Sequence, residues 1–510
     1  MPAPFVTTKP LALLLCAACV APWTITGAQG QPNQRYRING QLAPQVKANP
    51  VASQLRAQLR SLKTELETRS RSANLQQAIE AALLNNPDLA SAYAQIQGSQ
   101  WNLIAVRRQW YPTLNASPAG NALLGQTFTT SNGSGALTNN TTTYTNSTAT
   151  GVNVALGWTF FNPSRGPAIN AASETLRQQQ LLFDVSARNL VLVVQQTYFQ
   201  LQEQRQLISA YDEILTNTDR QVRQVEAAFN IGLVSIAEVE QIRTQQYSTL
   251  SVVISTYRQL LDTAAQLAEA MALPPGALVL PADQLRSVGS WSEPLPATIA
   301  QALRLREEIQ ASLAAAASAS WSASSLFNSY WPRFSLGASG SVANTNTTTG
   351  LPGISSTTNN TNLNWNGGVG LSFSWQLFDG GINAASAQAS RSRAVQLENQ
   401  AASQRLNVTR EVEQAYNAYL ASQLGLQSTT AQVQAARQAV IAVEERFNVG
   451  VESMTAVVQT LERAISAANA YATAVRTYNT AVASLYRSSA RWPEGTQTLL
   501  QQRTTTLKQQ

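Results

Sequence analysis

The sequence predicts a mixed α/β protein in which one module of strands and long helices occurs twice. The second half repeats the first at an offset that stays between 217 and 220 residues. Near the middle of each half, apolar and polar residues alternate with the period of two that is typical of a strand between two environments. After Pro167, about 60 residues up to Phe229 contain neither Pro nor Gly, enough for a helix of about 90–100 Å.

The composition predicts a well-packed exported protein. The chain has 510 residues, of which 44% are hydrophobic and 12% charged, so one to three domains are expected. Both cysteines, Cys16 and Cys19, fall in residues 1–30, an apolar stretch with the features of a secretory signal cleaved after Ala28 or Gly30. A lipid anchor on Cys19 is the competing maturation, disfavoured because Cys16 stands where Leu is usual.

The residue types that are absent exclude most chemistry. The chain contains no His, and the mature chain would contain no Cys, so the commonest zinc ligands and nucleophile–base pairs are missing. No glycine-rich phosphate loop or paired acidic motif is found. We therefore expect no catalytic residue, cofactor or metal. The formal charge is +7, but the arginines are scattered along helices, so no nucleic-acid partner is predicted.

The first module follows an N-terminal extension. This extension, residues 31–73, includes a charged amphipathic helix that is expected to be an accessory helix of unknown role. The first repeat, 74–272, is predicted to contain a helix, strands at about 112–128 and 150–162, and a long helix hairpin. In the second of these strands the alternating apolar residues are Val152, Val154, Leu156, Trp158 and Phe160.

A Pro-rich linker, 273–297, leads to the second repeat, 298–491. Its strands are predicted at about 332–346 and 365–379, the latter with Val369, Leu371, Phe373, Trp375 and Leu377 on one face. The Thr- and Asn-rich tracts at 129–150 and 343–364 are predicted to be mobile surface loops. The Gln- and Thr-rich tail, 492–510, is predicted to be disordered.

The strands can face lipid only in an oligomer. After the signal, no apolar run approaches the ~18–20 residues of a membrane helix, so the chain is either soluble or crosses a membrane as strands. Aromatic residues near the strand ends suit a membrane girdle, although a soluble β-sandwich edge stays open. These residues are Trp101, Trp110, Tyr111, Trp158, Tyr330, Trp331 and Trp375. Four strands cannot close a barrel, and lipid does not tolerate open edges, whereas three copies would supply twelve strands.

The helices favour the membrane alternative. Apolar residues in the second half of the first long helix follow the 3-and-4 steps of a coiled coil, namely Ile208, Tyr211, Leu215, Val222, Val225 and Phe229, with Thr218 in the remaining position. Such rods cannot bury a core alone. They must pack in antiparallel hairpins and across subunits.

Three motifs carry a family resemblance. They are "AIEAALLNNPDLASAYAQIQGSQWNLIAVRRQWYPTLNAS" at 78–117, "WQLFDGG" at 375–381, and "FNxG" at both 229–232 and 447–450. Spread over about 75–491, this ordered set resembles the TolC family of outer-membrane efflux and secretion channels. The first module departs from "LFDGG", since Asn162-Pro163 replaces Asp379-Gly380.

The resemblance implies a mixed α/β membrane protein that forms a homotrimer. Four strands per subunit would build a 12-stranded outer-membrane β-barrel, continuous with a long periplasmic α-helical coiled-coil barrel. The implied partners are a periplasmic adaptor protein, an inner-membrane pump and outer-membrane lipid, and no enzymatic activity is implied. The alternative function is an exported coiled-coil structural or adhesive protein of the cell envelope. The cargo and the pump class stay open.

The heptapeptides "FNIGLVS" at 229–235 and "FNVGVES" at 447–453 mark the two helix reversals. Gly232 and Gly450 suit a left-handed turn, and Phe229 and Phe447 close the last helical turn. The resemblance implies that these tips ring the pore entrance and dock the adaptor. The docking residues expected are Phe229, Gly232, Leu233, Ser235, Phe447, Gly450, Val451 and Ser453.

An acidic constriction is expected at the tips. Glu238 lies six residues after Gly232, where the family often has Asp, while Ala456 occupies the matching position of the second hairpin. Glu452 replaces the arginine that the family places two residues after the second glycine, which puts the family's inter-hairpin salt links in doubt. We predict a ring of Glu238, reinforced by Glu452, that selects for cations.

Overall fold

The computed structural model describes residues 50–118, 125–131, 141–350, 357–493 and 495–501. The predictions for the signal, Cys16, Cys19 and residues 502–510 lie outside these ranges. The described chain begins with α1 (Pro50–Arg69), β1 (Ser70–Ala73), α2 (Leu75–Asn85) and α3 (Pro87–Arg108). Next come β2 (Thr113–Pro118), β3 (Gly125–Ser131), β4 (Thr141–Phe161), α4 (Arg165–Asn230) and α5 (Ile236–Ala270).

The second half has the same order of helices, strands, long helix and shorter helix. It contains β5 (Leu278–Pro281), α6 (Leu295–Leu305), α7 (Glu307–Phe327) and a 3₁₀ turn (Asn328–Tyr330). These are followed by β6 (Arg333–Gly350), β7 (Thr357–Ser374), α8 (Ile382–Asn448) and α9 (Met454–Ser488). Within the described ranges, no helix combines the length and apolar character needed to cross a membrane.

The strands of both halves form one antiparallel sheet in the order β2-β4-β6-β7. Strand β3 pairs with a more distant part of β4, on the edge that β2 also uses, so the sheet is four strands wide. The register places Val152 opposite Val342, which in turn lies opposite Trp365. Side chains of like character therefore line up across the sheet.

The strands extend beyond the segments in which apolar and polar residues alternate. Residues 129–131 belong to β3, and residues 141–150, 343–350 and 357–364 continue β4, β6 and β7, so the prediction of loops is wrong for these residues. Residues 132–140 and 351–356 of the predicted loops lie outside the described ranges. The ladder runs on through pairs such as Thr347 with Asn360. Paired backbone groups sustain a strand without apolar side chains, and β-branched Thr suits that conformation.

The long helices form two antiparallel hairpins, α4 with α5 and α8 with α9. Helix α4 has 66 residues and α8 has 67, each about 100 Å long at 1.5 Å per residue. The coiled-coil positions predicted in α4 are buried from Ile208 at 6% exposure through Tyr211 at 2% to Val225 at 1%, and Phe229 at the end of the series is half-buried. The heptad prediction is thus confirmed, because these side chains fill the contacts with α5 and α9.

The main core lies among α2, α3, residues 183–208 of α4, the end of α5 and the β1–β5 pair. Strand β1 pairs in parallel with β5, inside the segment predicted to be a linker, and Tyr198 on α4 donates to the Ala73 carbonyl at 3.1 Å. The Leu500 side chain is buried in this core, and Trp492 packs on it. The prediction of disorder is therefore wrong for residues 492–493 and 495–501. Burial of its few apolar side chains against the core stabilises this otherwise polar segment.

Helix α1 lies along the first hairpin. Leu55 and Leu59 pack on the cluster formed by α4 and α5, and Arg56 donates to the Leu215 carbonyl at 3.3 Å and pairs with Asp219. The predicted accessory helix thus packs on the surface of the α4–α5 hairpin.

Candidate functional site

One face of the sheet is apolar and open to solvent. On β7, Trp365 is 79% exposed, Val369 76% and Leu371 68%. Leu371 lies opposite Leu336, and Leu336 lies opposite Trp158, so the apolar face crosses three strands. An exposed apolar area of this extent marks a surface that binds lipid or another protein.

The other face of the sheet is polar. Ser335 lies opposite Ser372 on the face away from Leu336, and Ser341 lies opposite Asn366. The Ser335 hydroxyl also lies 2.9 Å from the Thr159 hydroxyl on β4. A sheet that is apolar on one side and hydrogen-bonding on the other is suited to separate lipid from water.

Aromatic side chains mark the end of the sheet that joins the helices. The indole N–H of Trp158 donates to the Trp110 carbonyl at 2.9 Å, and that of Trp375 donates to the Tyr330 carbonyl at 2.9 Å. The rings of Trp110, Trp331 and Trp375 stay exposed. Tryptophan with a satisfied N–H and an exposed ring is typical of a membrane interface.

An Asp or Asn side chain orders the turn that precedes each long helix, just below the sheet. Asp379 accepts from the backbone N–H of Gly381 at 2.8 Å and of Asn383 at 2.9 Å. These donors, led by the Asn383 N–H, hold the pKa of the Asp379 carboxyl below its usual value. Asn162 accepts from the Ser164 N–H at 3.2 Å. The Asn-Pro departure in the first module therefore still supplies a turn acceptor at the start of α4.

The two helix reversals have the same backbone geometry. Gly232 has φ of 81° and Gly450 has φ of 78°, both in the left-handed region. The Leu233 N–H donates to the Ala228 carbonyl at 2.8 Å, and the Val451 N–H donates to the Arg446 carbonyl at 2.9 Å. These bonds close each helix with a Schellman-type turn, for which glycine has no steric cost.

An apolar cluster joins the two tips. Its buried members come from both hairpins and are Val222, Val225, Val239, Ile242, Met454, Val457 and Leu461. Phe229 and Phe447 are half-buried against this cluster. The turn residues beyond it are exposed, with Leu233 at 75% and Val451 at 67%. The tips therefore offer apolar side chains on a rigid base.

The predicted acidic residues lie at the start of the returning helices. Glu238 forms a capping box with Ser235, accepting from its N–H at 2.7 Å and from its hydroxyl at 3.2 Å. In the second hairpin, Ser453 accepts from the Ala456 N–H at 3.3 Å, and no side chain completes the box. Glu452 lies 3.8 Å from Arg446. Glu238 thus has a structural role in addition to its charge.

Two polar links above the tips were missed by the sequence analysis. Arg243 on α5 pairs with Glu226 on α4 at 2.7 Å, within the first hairpin. Gln221 on α4 donates to Glu444 on α8 at 2.7 Å, between the hairpins, and burial raises the pKa of Glu444. Only the register between α4 and α8 brings the second pair together.

A charged cluster joins α4, α7 and α9 nearer the sheet. Arg188 pairs with Glu307 at 2.9 Å, and Arg487 pairs with Glu308 at 2.5 Å. Burial, assisted by the Glu307 charge, raises the pKa of Asp184 to about 6, although Arg188 opposes the shift. Among the described residues, no group of His, Cys, Asp and Glu is arranged to hold a metal ion.

A sheet with one exposed apolar face, continued by two helical hairpins whose long helices are each about 100 Å, is the architecture of an outer-membrane channel protein. The solved Campylobacter jejuni CmeC outer membrane channel has this fold, with a TM-score of 0.67 at 17% identity over 84% of this chain and 89% of that one. The outer-membrane channel OprN has a TM-score of 0.63 at 19% identity over 82% and 90%.

The chain belongs to the outer membrane efflux protein family, which matches residues 78–273 and 298–491. It is accordingly an outer-membrane protein. The outer membrane protein TolC of Salmonella enteritidis is 26% identical over 199 residues, which is 39% of this chain and 38% of TolC. This chain thus matches little more than a third of the length of that curated relative. The family is one of channel proteins, not of enzymes.

Proposed function

We propose that this chain is the outer-membrane channel of a tripartite efflux pump or a type I secretion system. The single observation that carries the proposal is the sheet, whose exposed apolar face is suited to lipid and whose polar face is suited to a water-filled lumen. The chain would conduct passively what an inner-membrane pump delivers through a periplasmic adaptor. It would catalyse no reaction.

The proposed assembly is a homotrimer. The outer strand β7 is exposed along its whole length, and β2 forms the opposite edge of the sheet. Two open edges in lipid are not tolerated, whereas three sheets that are each four strands wide would close a barrel of twelve strands. The matching order of elements in the two halves, and the two segments matched by the family, support an internal duplication of repeats 74–272 and 298–491.

The helix tips are the proposed entrance. Glu238 and Glu452 would line the constriction, and the apolar turn residues, with Leu233 and Val451 the most exposed of the predicted set, would dock the adaptor. Phe229 and Phe447 would support this surface from below, and Gly232 and Gly450 would set the turns. Ser235 and Ser453 cap the returning helices.

Single-channel recording tests the proposal. The purified protein, checked as a heat-modifiable trimer, is added to a planar bilayer in asymmetric potassium chloride. Small, discrete, cation-selective steps are expected. A protein that neither forms trimers nor inserts would overturn the proposal and favour the coiled-coil structural protein.

A further inference from the structure

The charges that flank the sheet are strongly unbalanced. Residues 89–173 and 309–397 carry the sheet and its connections, and Asp379 is their only carboxylate. The same segments contain six arginines, which we call the arginine collar: Arg107, Arg108, Arg165, Arg333, Arg391 and Arg393. Asp379 offsets one of these six positive charges, and its hydrogen-bond donors are backbone N–H groups and the Tyr330 hydroxyl at 2.8 Å rather than an arginine.

All six arginines lie on the side of the sheet that joins the helices, with Arg391 and Arg393 nine and eleven residues into α8. Arg107 and Arg108 end α3, just before β2, while Arg165 begins α4 and Arg333 begins β6. The guanidinium of Arg391 lies 6.0 Å from the centre of the Phe327 ring, which places it level with the end of α7. At the opposite end, the described residues 118, 125–131, 141–150, 343–350 and 357–364 include no charged residue.

The collar coincides with the aromatic boundary. The guanidinium of Arg165 stacks on Trp110 at 4.5 Å, and Trp110 accepts the indole N–H of Trp158. Arg165 is only 3% exposed and donates to the Thr159 carbonyl at 2.9 Å. Its Nε and Nη1 have no hydrogen-bond partner among the described residues. Arg165 therefore adds a buried positive charge behind the exposed arginines of the collar and holds the Trp110 ring at this boundary.

We infer that the arginine collar binds the phosphate headgroups of anionic phospholipid in the periplasmic leaflet. The inference rests on the proposed membrane insertion of the sheet. Interfacial aromatics fix the depth of the sheet at this boundary, and Arg107, Arg108, Arg391 and Arg393 are exposed there. Long arginine side chains can extend to the headgroups, and guanidinium groups match phosphate geometry.

The test compares the lipids retained by variants. Wild type, R107Q/R108Q and R391Q/R393Q are placed in nanodiscs of phosphatidylcholine with phosphatidylglycerol. The lipids that remain bound after mild detergent extraction are counted by mass spectrometry. The matched control is R220Q/R223Q, which removes two exposed arginines of α4 about 80 Å from the sheet.

Wild type and the control are expected to enrich phosphatidylglycerol. Each collar arginine near an anionic surface is expected to raise the phosphatidylglycerol enrichment about five-fold. A double variant should therefore lose up to about 25-fold of this enrichment. The enrichment should also fall with salt, because the groups are exposed. Equal enrichment in collar variants and control would overturn the inference.

Two further outcomes separate the possible failures. If inorganic phosphate abolishes the enrichment while chloride at equal ionic strength does not, the collar is a site for free phosphate, and the lipid assignment is overturned. If wild type inserts and conducts without any lipid preference, the inference of lipid binding is overturned, but the proposed channel function is not. If wild type does not insert into any bilayer, the proposed function fails with it.

Discussion

Replacing Glu238 by Gln separates the two roles of this side chain. In the structure its carboxylate accepts from the Ser235 N–H at 2.7 Å, and it would contribute three charges to the tip of a trimer. Gln keeps an acceptor oxygen for that N–H, so only the charge–dipole contribution is lost, about 0.3–1 kcal/mol per protomer. The trimer should therefore stay intact, while the constriction loses its main fixed charge.

The assay is the reversal potential in a planar bilayer with a potassium chloride gradient, together with the melting temperature of the trimer. E238Q should move the reversal potential toward zero. E238A, which also removes the cap, should cost about 1 kcal/mol of helix stability. E240Q, which neutralises an exposed neighbour, is the control. An intact E238Q trimer with an unchanged reversal potential would refute the acidic ring.

Three further substitutions test the structure. A456E gives Ser453 the missing partner of a capping box, so it should stabilise α9 by about 0.5–1 kcal/mol and increase cation selectivity, measured by calorimetry and reversal potential. Asp184 has a raised pKa of about 6, so the folded protein binds more protons than the unfolded chain between about pH 4 and 6 and loses stability as pH rises through that window. D184N should remove this loss, a gain of up to about 3 kcal/mol at pH 7 in urea denaturation, and no change would contradict the assignment. R56A leaves Asp219 without its cation, so hydrogen exchange should quicken in the middle of the α4–α5 hairpin, whereas the exposed control R60A should not alter it.

The periodic parts of the fold were predictable from the sequence. The alternation from Val152 to Phe160 lies within β4, and the 3-and-4 spacing from Ile208 to Val225 marks the buried face of α4. Both patterns are local, because neighbouring residues on one element share an environment. The glycine turns could be located for the same reason, since only a left-handed residue reverses the helix within a few positions.

The errors came from segments whose environment is distant in sequence. The Thr-rich tract around Thr347 pairs with one strand more than ten residues further along the chain and with another strand in the first half. The tract has no pattern of apolar residues from which these pairings could be predicted. Likewise, Leu500 lies in a polar segment and is buried by helices from the first half. Strand pairing and side-chain burial depend on which segments are adjacent in space, not on which are adjacent in sequence.

The sequence by itself determined the period of each element, the two reversals, the family and the absence of histidine, because these are properties of residues or of short-range spacing. Only the tertiary structure decided how the residues meet. It aligned the apolar side chains of Val152, Val342 and Trp365 into one face, and gave Gln221 its partner Glu444. Register between strands and between helices is set by packing over the whole length of each element, so it cannot be deduced from a single segment.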